Sequence, residues 1–308
     1  MKKNALIIIF LFVYTQIEAL NNNEYNEWIS AYEQTESFII RNTENLMTFS
    51  RLINKGEKDF EGKTVILRPS SGDSISISTN SWIPLGTEDT RFMGTFDGEG
   101  HTISGLWIDA ASDFVGFFHS IGSAGKVKDL NIVIADKGIK GGNRVGGLAG
   151  ACYGEISNCS VKRGKIEGLG FSIGGLTGSA YPGSSIKGCS AETPVNATNV
   201  NKLHIGGLVG YLDRGTISDS HAKGTVNVKK AITSDMGGLV GYQKEGVISK
   251  CFATGLITVE KAQDSTIGGL VGKQCDQIDD QCYSCSQIIC IDIDDSKVGK
   301  LVGHKMTD

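Results

Sequence analysis

From about residue 115 onward, hydrophobic and polar residues alternate over short segments that are separated by glycine. Thr216-Ile217-Ser218 and Thr225-Val226-Asn227-Val228 are two examples, and both are rich in β-branched residues. A period of two predicts strands, and the longer 3.6-residue periodicity of a helix does not occur after residue 56. The pattern therefore predicts an all-β fold for most of the chain.

The alternation is organised by a repeat of about 31 residues. The sequence IGGLVG occurs at 205–210 and 267–272, with variants at 145–150, 173–178, 236–241 and 298–303, so that successive copies start 28, 32, 31, 31 and 31 residues apart. A second motif keeps this period and contains Ile156, Ile186, Ile217 and Ile248. A fixed period of this kind indicates a solenoid or a propeller, but a propeller blade needs about 40 residues. We therefore predict a parallel β-helix with one coil per repeat.

The repeat assigns roles to its residues. A solenoid repeat can bury its apolar side only against its neighbours, so the leucines of the motif should stack as an internal ladder: Leu148, Leu176, Leu208, Leu239, Leu270 and Leu301. We expect the Gly-Gly pair to provide positive φ angles and close backbone approach. Near the C-terminus, Asp279 occupies the position at which the repeat places its isoleucine. We therefore expect the last coil to lack this isoleucine.

The residues before the repeats are predicted to close one end of the solenoid. An N-cap precedes apolar residues at helical spacing over about 43–54, which predicts the only substantial helix after residue 19: Asn42 before Leu46, Phe49, Leu52 and Ile53. This helix lies in an N-terminal segment, residues 20–60, and is expected to cap the stack. Residues 61–114 are predicted to form irregular first coils, and 115–308 the regular ones.

Residues 1–19 have the layout of a signal peptide. Lys2 and Lys3 precede an apolar run that is too short to span a membrane, and Ala19 offers a small residue for cleavage; an uncleaved anchor is the alternative. Removing this segment takes away two lysines and Glu18, so the formal charge moves from -4 to -5. Mild acidity argues against a nucleic-acid partner. We expect a secreted, extracellular or cell-surface protein with no membrane span after cleavage.

The recurring IGGLVG and I-S-x-C sequences resemble the GLUG motif of bacterial surface proteins. The run from Trp82-Ile83-Pro84-Leu85-Gly86 to FMGTFDGEGHTISGL resembles the segment that precedes this motif in many of them. The resemblance covers about residues 40–303. It implies a right-handed parallel β-helix in a secreted or surface protein, often an adhesin, or in the non-catalytic region of a large IgA-type metallopeptidase. It supplies no catalytic residues.

One short sequence matches a catalytic motif. Gly170-Phe171-Ser172-Ile173-Gly174 fits the G-x-S-x-G nucleophile elbow, but that elbow needs a strand-to-helix turn, and no helix is predicted here. We interpret the position of Ser172 as variable and outward-facing, because the other repeats place different residues there: Arg144, His204, Asp235, Thr266 and Lys297. We predict no catalytic residue and no enzyme activity.

Metal and cofactor sites are not predicted either. The five histidines are scattered, and no H-E-x-x-H sequence exists. Six aspartates cluster near the C-terminus: Asp276, Asp279, Asp280, Asp292, Asp294 and Asp295. Their spacing shows no recurring pattern of ligands, which favours a solvated acidic face over a calcium site.

Most of the eight cysteines fall into two groups. Cys159, Cys189 and Cys251 recur with the repeat and are expected to be small buried ladder residues. The second group has the spacing C-x6-C-x2-C-x4-C, which fits zinc sites poorly: Cys275, Cys282, Cys285 and Cys290. In an exported chain, disulfides that staple the last coil are favoured. An end-to-end homodimer is the alternative way to cover the strand edges there.

Three functions follow from these patterns. The favoured hypothesis is a non-catalytic, adhesin-like binding protein that presents outward residues to an unknown host or cell-surface protein or glycan. A glycan-active enzyme would need acidic side chains in register across successive coils, and the sequence shows no such pair. The third hypothesis is a structural accessory module of a larger surface complex.

Overall fold

Equal spacing of like residues lets the strands of successive repeats pair in register. In the computed structural model, which describes residues 23–306, every strand pairing is parallel. One column of inward-facing side chains passes through nine coils: Phe38, Val65, Phe96, Val127, Ile156, Ile186, Ile217, Ile248 and Ile278. The predicted all-β, parallel β-helix fold is confirmed.

Within residues 23–306 the strands form three sheets. The first sheet contains Ser37–Ile40, Thr64–Leu67, Thr95–Asp97, Phe118–Ile121, Lys126–Lys128, Ala149–Cys152, Glu155–Ser157, Thr177–Ala180, Ser185–Lys187, Val209–Ser218, Val240–Ser249, Val271–Gln274 and Val302–Lys305. The second contains Ser74–Ser76, Thr102–Asp109, Asn131–Gly141, Ser160–Lys162, Ile166–Gly168, Ser190–Ala191, Val195–Asn201, His221–Ala222, Val226–Ile232, Phe252–Ala253, Ile257–Val259, Ala262–Gln263, Tyr283–Ser284, Ile288–Cys290 and Ile293–Asp294. The third contains Arg144–Val145, Ser172–Gly174, His204–Gly206, Asp235–Gly237, Thr266–Gly268 and Lys297–Gly299.

The leucine ladder lies in the interior, as expected. The first five leucines of the ladder, Leu148 to Leu270, are 0% exposed, and Leu301 in the last described coil is 39% exposed. The isoleucine column also continues to the end, because Ile278 pairs with Ile248. The expected loss of this isoleucine at Asp279 is therefore wrong. An apolar side chain occupies the interior position one residue early, and the turn that follows absorbs the difference in spacing.

The glycines of the repeated motif mark a corner between the third and first sheets. A Cβ atom on Gly206 would lie 2.0 Å from the carbonyl oxygen of Val209, and one on Gly207 would lie 2.1 Å from that of Gly238 in the next coil. The expected close approach is thus confirmed. The expected positive φ is wrong, because none of the motif glycines has one; positive φ occurs instead at polar turn residues such as Asp219 and Lys250.

Helices cover the N-terminal coils. The predicted helix is present as Thr43–Asn54, and the side chain of Asn42 caps it by accepting a hydrogen bond from the Asn45 amide at 2.9 Å. Phe49 on this helix packs edge-on against Phe60, with ring centres 4.8 Å apart. The prediction of a single helix is wrong, since residues 23–31 are also helical and Trp28 packs 4.8 Å from Phe38.

The predicted signal peptide, residues 1–19, lies outside the described residues. Among residues 23–306, no helix has both the length and the apolar character needed to cross a membrane.

Candidate functional site

The motif position of Ser172 lies in a concave corner where the third sheet meets the first. Successive coils align Arg144, Ser172, His204, Asp235, Thr266 and Lys297 in one column. A second column on the first sheet lies opposite: Ala151, Ser179, Tyr211, Tyr242 and Lys273. Because the two columns face each other, Ser172 is 0% exposed. Ser172 therefore points out of the interior of its coil, as expected, but the facing sheet covers it, so the expected solvent exposure is wrong.

Ser172, His204 and Asp235 are also the residue types of a hydrolytic triad, in adjacent coils. His204 Nδ1 lies 2.9 Å from Asp235 Oδ2, and the other carboxylate oxygen accepts a hydrogen bond from Thr266 at 2.7 Å. The Ser172 hydroxyl, however, is 2.8 Å from that of Ser179 and has no exposed surface. A nucleophile must reach both its base and its substrate. The Ser172 hydroxyl instead pairs with Ser179 and has no surface through which to meet a substrate, so Ser172, His204 and Asp235 do not form the hydrogen-bonded chain of a hydrolytic triad.

Aromatic rings fill much of the same corner. Tyr153 and Tyr181 stack 4.8 Å apart, and the Arg91 guanidinium covers the Tyr153 ring at 4.2 Å. Phe171 packs edge-on against Tyr211 at 5.0 Å, and burial raises the pKa of Tyr211 to about 12. The faces of these rings are largely covered by other rings or by cations. These aromatic rings therefore stiffen the corner and offer a ligand little surface for stacking.

The ladder cysteines are placed as expected. Cys159, Cys189 and Cys251 are buried, and burial raises the pKa of the Cys251 thiol to about 12, which makes it a poor nucleophile. Cys282 continues this column, since its sulfur accepts a hydrogen bond from the Cys251 amide at 3.4 Å.

The rest of the C-terminal cysteine group has varied surroundings. The Cys275 thiol donates to the Tyr242 hydroxyl at 3.6 Å, Cys285 is exposed, and Cys290 is half-buried at the end of the strand Ile288–Cys290. The oxidation of Cys275, Cys282, Cys285 and Cys290 stays a prediction.

Aspartates near the C-terminus organise turns. Asp276 accepts hydrogen bonds from the backbone amides of Gly246 at 2.7 Å and Gln277 at 2.8 Å. Asp279 accepts one from the Gln281 amide at 2.8 Å, and this bond lowers the pKa of its carboxyl group. In the described part of the chain, no group of three or more histidine, cysteine or acidic residues is arranged to hold a metal ion.

The second sheet carries an open cleft of about 390 Å³, which was not predicted from the sequence. One column of outward side chains crosses it through four successive coils: Glu167, Asn196, Asn227 and Thr258. Thr198, Lys229 and Glu260 line its other side. We call this site the amide cleft.

Polar groups in the amide cleft keep unused hydrogen-bonding capacity. The Asn227 amide nitrogen donates to Asn196 Oδ1 at 2.9 Å and to Thr225 Oγ1 at 3.0 Å. Within residues 23–306, no protein partner is found for the Asn227 amide oxygen, the Asn196 amide nitrogen or the hydroxyls of Thr198 and Thr258. These groups are free to bind a ligand from solvent.

The two carboxylates of the amide cleft are each held by a lysine. Lys165 Nζ lies 2.8 Å from Glu167 Oε1, and Lys229 Nζ lies 3.1 Å from Glu260 Oε1. The sequence did contain a signal for the site, because Asn196, Asn227 and Thr258 follow one another at intervals of 31 residues.

Comparison with known proteins agrees with the repeat. The family model described as the GLUG motif matches residues 203–227, which include the corner at Gly206-Gly207 and reach Asn227 in the amide cleft. The resemblance noted in the sequence is thereby confirmed.

Two relatives share part of the chain. Halomucin of Haloquadratum walsbyi is 36% identical over 105 residues, which are 34% of this chain and 1% of halomucin. A "Putative Gly-rich membrane protein" of Evansella cellulosilytica is 35% identical over 85 residues, 27% of this chain and 10% of that protein. The chain thus spans only a small part of either relative.

A solved structure has the same fold. It is described as "a putative immunoglobulin A1 protease from Bacteroides ovatus", has a TM-score of 0.66 and 20% sequence identity, and the match covers 87% of this chain and 84% of that one. At this identity the likeness concerns the fold alone.

Proposed function

We propose that this chain is a non-catalytic, adhesin-like binding protein of the cell surface, and that it holds its ligand in the amide cleft. The carrying observation is the set of amide and hydroxyl groups at Asn196, Asn227, Thr198 and Thr258 that lack protein partners. Binding residues held on regular strands are well positioned for recognition, because the backbone pairing fixes their spacing. The cell-surface location is supported by the predicted signal peptide and by a relative that is named as a membrane protein.

A glycan-active enzyme is the second candidate, because the amide cleft contains two carboxylates. Glycoside hydrolysis needs two carboxyl groups roughly 5–10 Å apart. Glu167 and Thr258 are three coil steps apart, and Glu260 comes directly after the strand of Thr258, Ile257–Val259. At a coil spacing of about 4.8 Å, Glu167 and Glu260 are separated by about 14 Å along the axis. This separation favours binding over hydrolysis.

A glycan and host-protein array probed with residues 20–308 tests the proposal. The wild-type chain is expected to bind a defined class of ligand, and Asn196→Ala/Asn227→Ala should lose that binding. The matched control is Ser185→Ala/Thr216→Ala, which alters paired outward residues of the same two coils on the first sheet. Equal binding by both variants would contradict the assignment of the amide cleft. A folded chain that binds nothing would favour the accessory-module hypothesis, and release of sugars from a spotted glycan would favour the enzyme.

A further inference from the structure

We infer that the ligand of the amide cleft is an uncharged, extended glycan that runs along the axis of the β-helix and contacts successive coils. This inference rests on the proposed function and adds the chemical class and the direction of the ligand.

The hydrogen-bonding groups of the amide cleft match those of a sugar. Each sugar hydroxyl both donates and accepts, and a carboxamide offers both a donor and an acceptor. In the amide cleft, the Asn196 amide nitrogen supplies two unused N–H donors, and the Asn227 amide oxygen in the adjacent coil supplies an unused acceptor. The hydroxyls of Thr198 and Thr258 extend the same mixed character to the second column and to the next coil.

The shape of the amide cleft favours a polymer. Four coils at about 4.8 Å give a path about 14 Å long, along which side chains of similar size and polarity recur once per coil. A chain of like units can repeat similar contacts at each step. Immediately beyond Thr198 and Lys229 the backbone bends, at Asn199 with φ 56° and Lys230 with φ 61°. The bend ends the cleft on that side, so the open direction is along the axis.

Charge excludes anionic ligands. Glu167 and Glu260 place carboxylates at the two ends of the amide cleft, but each is paired with a lysine: Glu167 with Lys165, and Glu260 with Lys229, the one cation of the lining. A phosphate backbone or an acidic sugar needs several unpaired lysine or arginine side chains, and a cationic ligand needs an unpaired carboxylate; the lining of the amide cleft offers neither. The ligand is therefore uncharged.

A peptide fits the amide cleft poorly. Strands on either side are already paired, in the order Ile166–Gly168, Val195–Asn201, Val226–Ile232 and Ile257–Val259, so no strand edge is open for a peptide to extend the sheet. Protein partners are anchored by buried aromatic or arginine side chains, and the amide cleft has none. Its apolar lining residues, Ala197 and Val228, are 4% and 1% exposed.

The aromatic stacks of the chain do not compete for a sugar. His221, Phe252 and Tyr283 stack on the second sheet with ring centres 4.6 and 5.2 Å apart and interplanar angles of 2° and 5°. A sugar packs on the face of a ring, and the inner faces of this stack cover one another, so only the outer faces of the two end rings are left, too little for a ligand that contacts four coils. The amide cleft is thus the better site for a glycan.

Isothermal titration calorimetry of residues 20–308 with cellohexaose, chitohexaose, mannohexaose and an oligogalacturonate tests the inference. At least one of the three uncharged sugars should bind, and the acidic sugar should not. Asn196→Ala/Asn227→Ala removes two hydrogen-bonding side chains and should weaken binding about tenfold or more. Ser185→Ala/Thr216→Ala should bind as wild type does.

A second variant tests the charge argument without removing the amides. Glu167→Gln/Glu260→Gln should keep its affinity for the uncharged sugar and gain affinity for the oligogalacturonate. Circular dichroism of every variant checks that it is folded. Failure of all three uncharged sugars to bind, or unchanged binding by Asn196→Ala/Asn227→Ala, overturns the inference. If these sugars fail while a protein on the array binds through Asn196 and Asn227, the binding function stands and the glycan assignment falls.

Discussion

Replacement of Gly207 by alanine tests whether the repeated glycines are needed for the packing of one coil on the next. A Cβ atom at this position would lie 2.1 Å from the carbonyl oxygen of Gly238 and 2.9 Å from the Cβ of Ala222. Ordinary contact begins at 3.4 Å, so the two coils must move apart by more than 1 Å at the corner, or the backbone must distort.

The expected energy follows from what holds the corner together. The Gly207 amide donates to the Gly237 carbonyl at 3.2 Å, and the Leu208 amide donates to that of Leu239 at 2.9 Å. A separation of this size strains both bonds. Overpacking costs about 1–3 kcal/mol, and each weakened hydrogen bond adds up to about 1 kcal/mol. We expect Gly207→Ala to lower the free energy of unfolding by about 2–4 kcal/mol, which corresponds to a melting temperature roughly 5 °C lower.

Thermal unfolding followed by circular dichroism and calorimetry measures this change. Thr216→Ala is the control, because Thr216 is an exposed residue of the same coil and its replacement should change stability by only about 0.5 kcal/mol. Amide hydrogen exchange should show the loss of protection centred on the coils of Gly207 and Gly238. A Gly207→Ala protein that melts with the wild type and keeps its exchange pattern would refute the packing explanation.

Four further predictions use the same structure. Leu208→Asp buries an unpaired charge and should cost several kcal/mol, so rapid proteolysis is expected, and a protease-resistant variant would contradict the ladder. Ser172→Ala removes the hydrogen-bond partner of the buried Ser179 hydroxyl and should lower stability by about 1–3 kcal/mol in chemical denaturation; loss of a measured hydrolase activity would instead contradict the prediction that Ser172 is not catalytic. Burial raises the pKa of the Cys152 and Cys251 thiols from 9.0 to about 12, so the stability they confer is full below pH 9 and is lost as the pH rises toward 12; urea titrations between pH 8 and 10 should show the decline, and a flat profile would oppose it. Peptide mapping without reductant should find disulfides among the last four cysteines: Cys275, Cys282, Cys285 and Cys290. Four free thiols in a monomeric, protease-resistant preparation would exclude both the disulfide cap and the end-to-end dimer.

The coil and its core could be predicted from the sequence because each interior position has the same requirement in every repeat. Leu208 must contact the leucines of the coils before and after it, so the same residue type returns at the repeat period. The capping helix was predictable for a local reason, since Asn42 and the apolar spacing after it specify the helix without reference to the rest of the chain.

The sites could not be predicted in the same way, because alternation shows only that a side chain leaves the interior. Ser172 and Asn196 both point away from the core in their strands. Ser172 meets a second sheet across a concave corner and is 0% exposed, whereas Asn196 borders an open cleft. The difference depends on the angle between neighbouring sheets, and a spacing of residues along the chain carries no information on that angle.

The polar side chains of the concave corner and those of the amide cleft therefore have different consequences. In the corner, the changes from coil to coil satisfy each other, as in the hydrogen bonds from Arg144 to Tyr181 at 2.8 Å and between His204 and Asp235 at 2.9 Å. In the amide cleft, the polar groups of Asn196, Asn227 and Thr258 recur in register and retain capacity that the protein does not use. Reactive residue types drew attention to the corner, yet a buried group that is already paired gains nothing from a ligand. Binding is favoured where hydrogen-bonding groups are held in place and still unpaired, and on this chain that condition is met in the amide cleft.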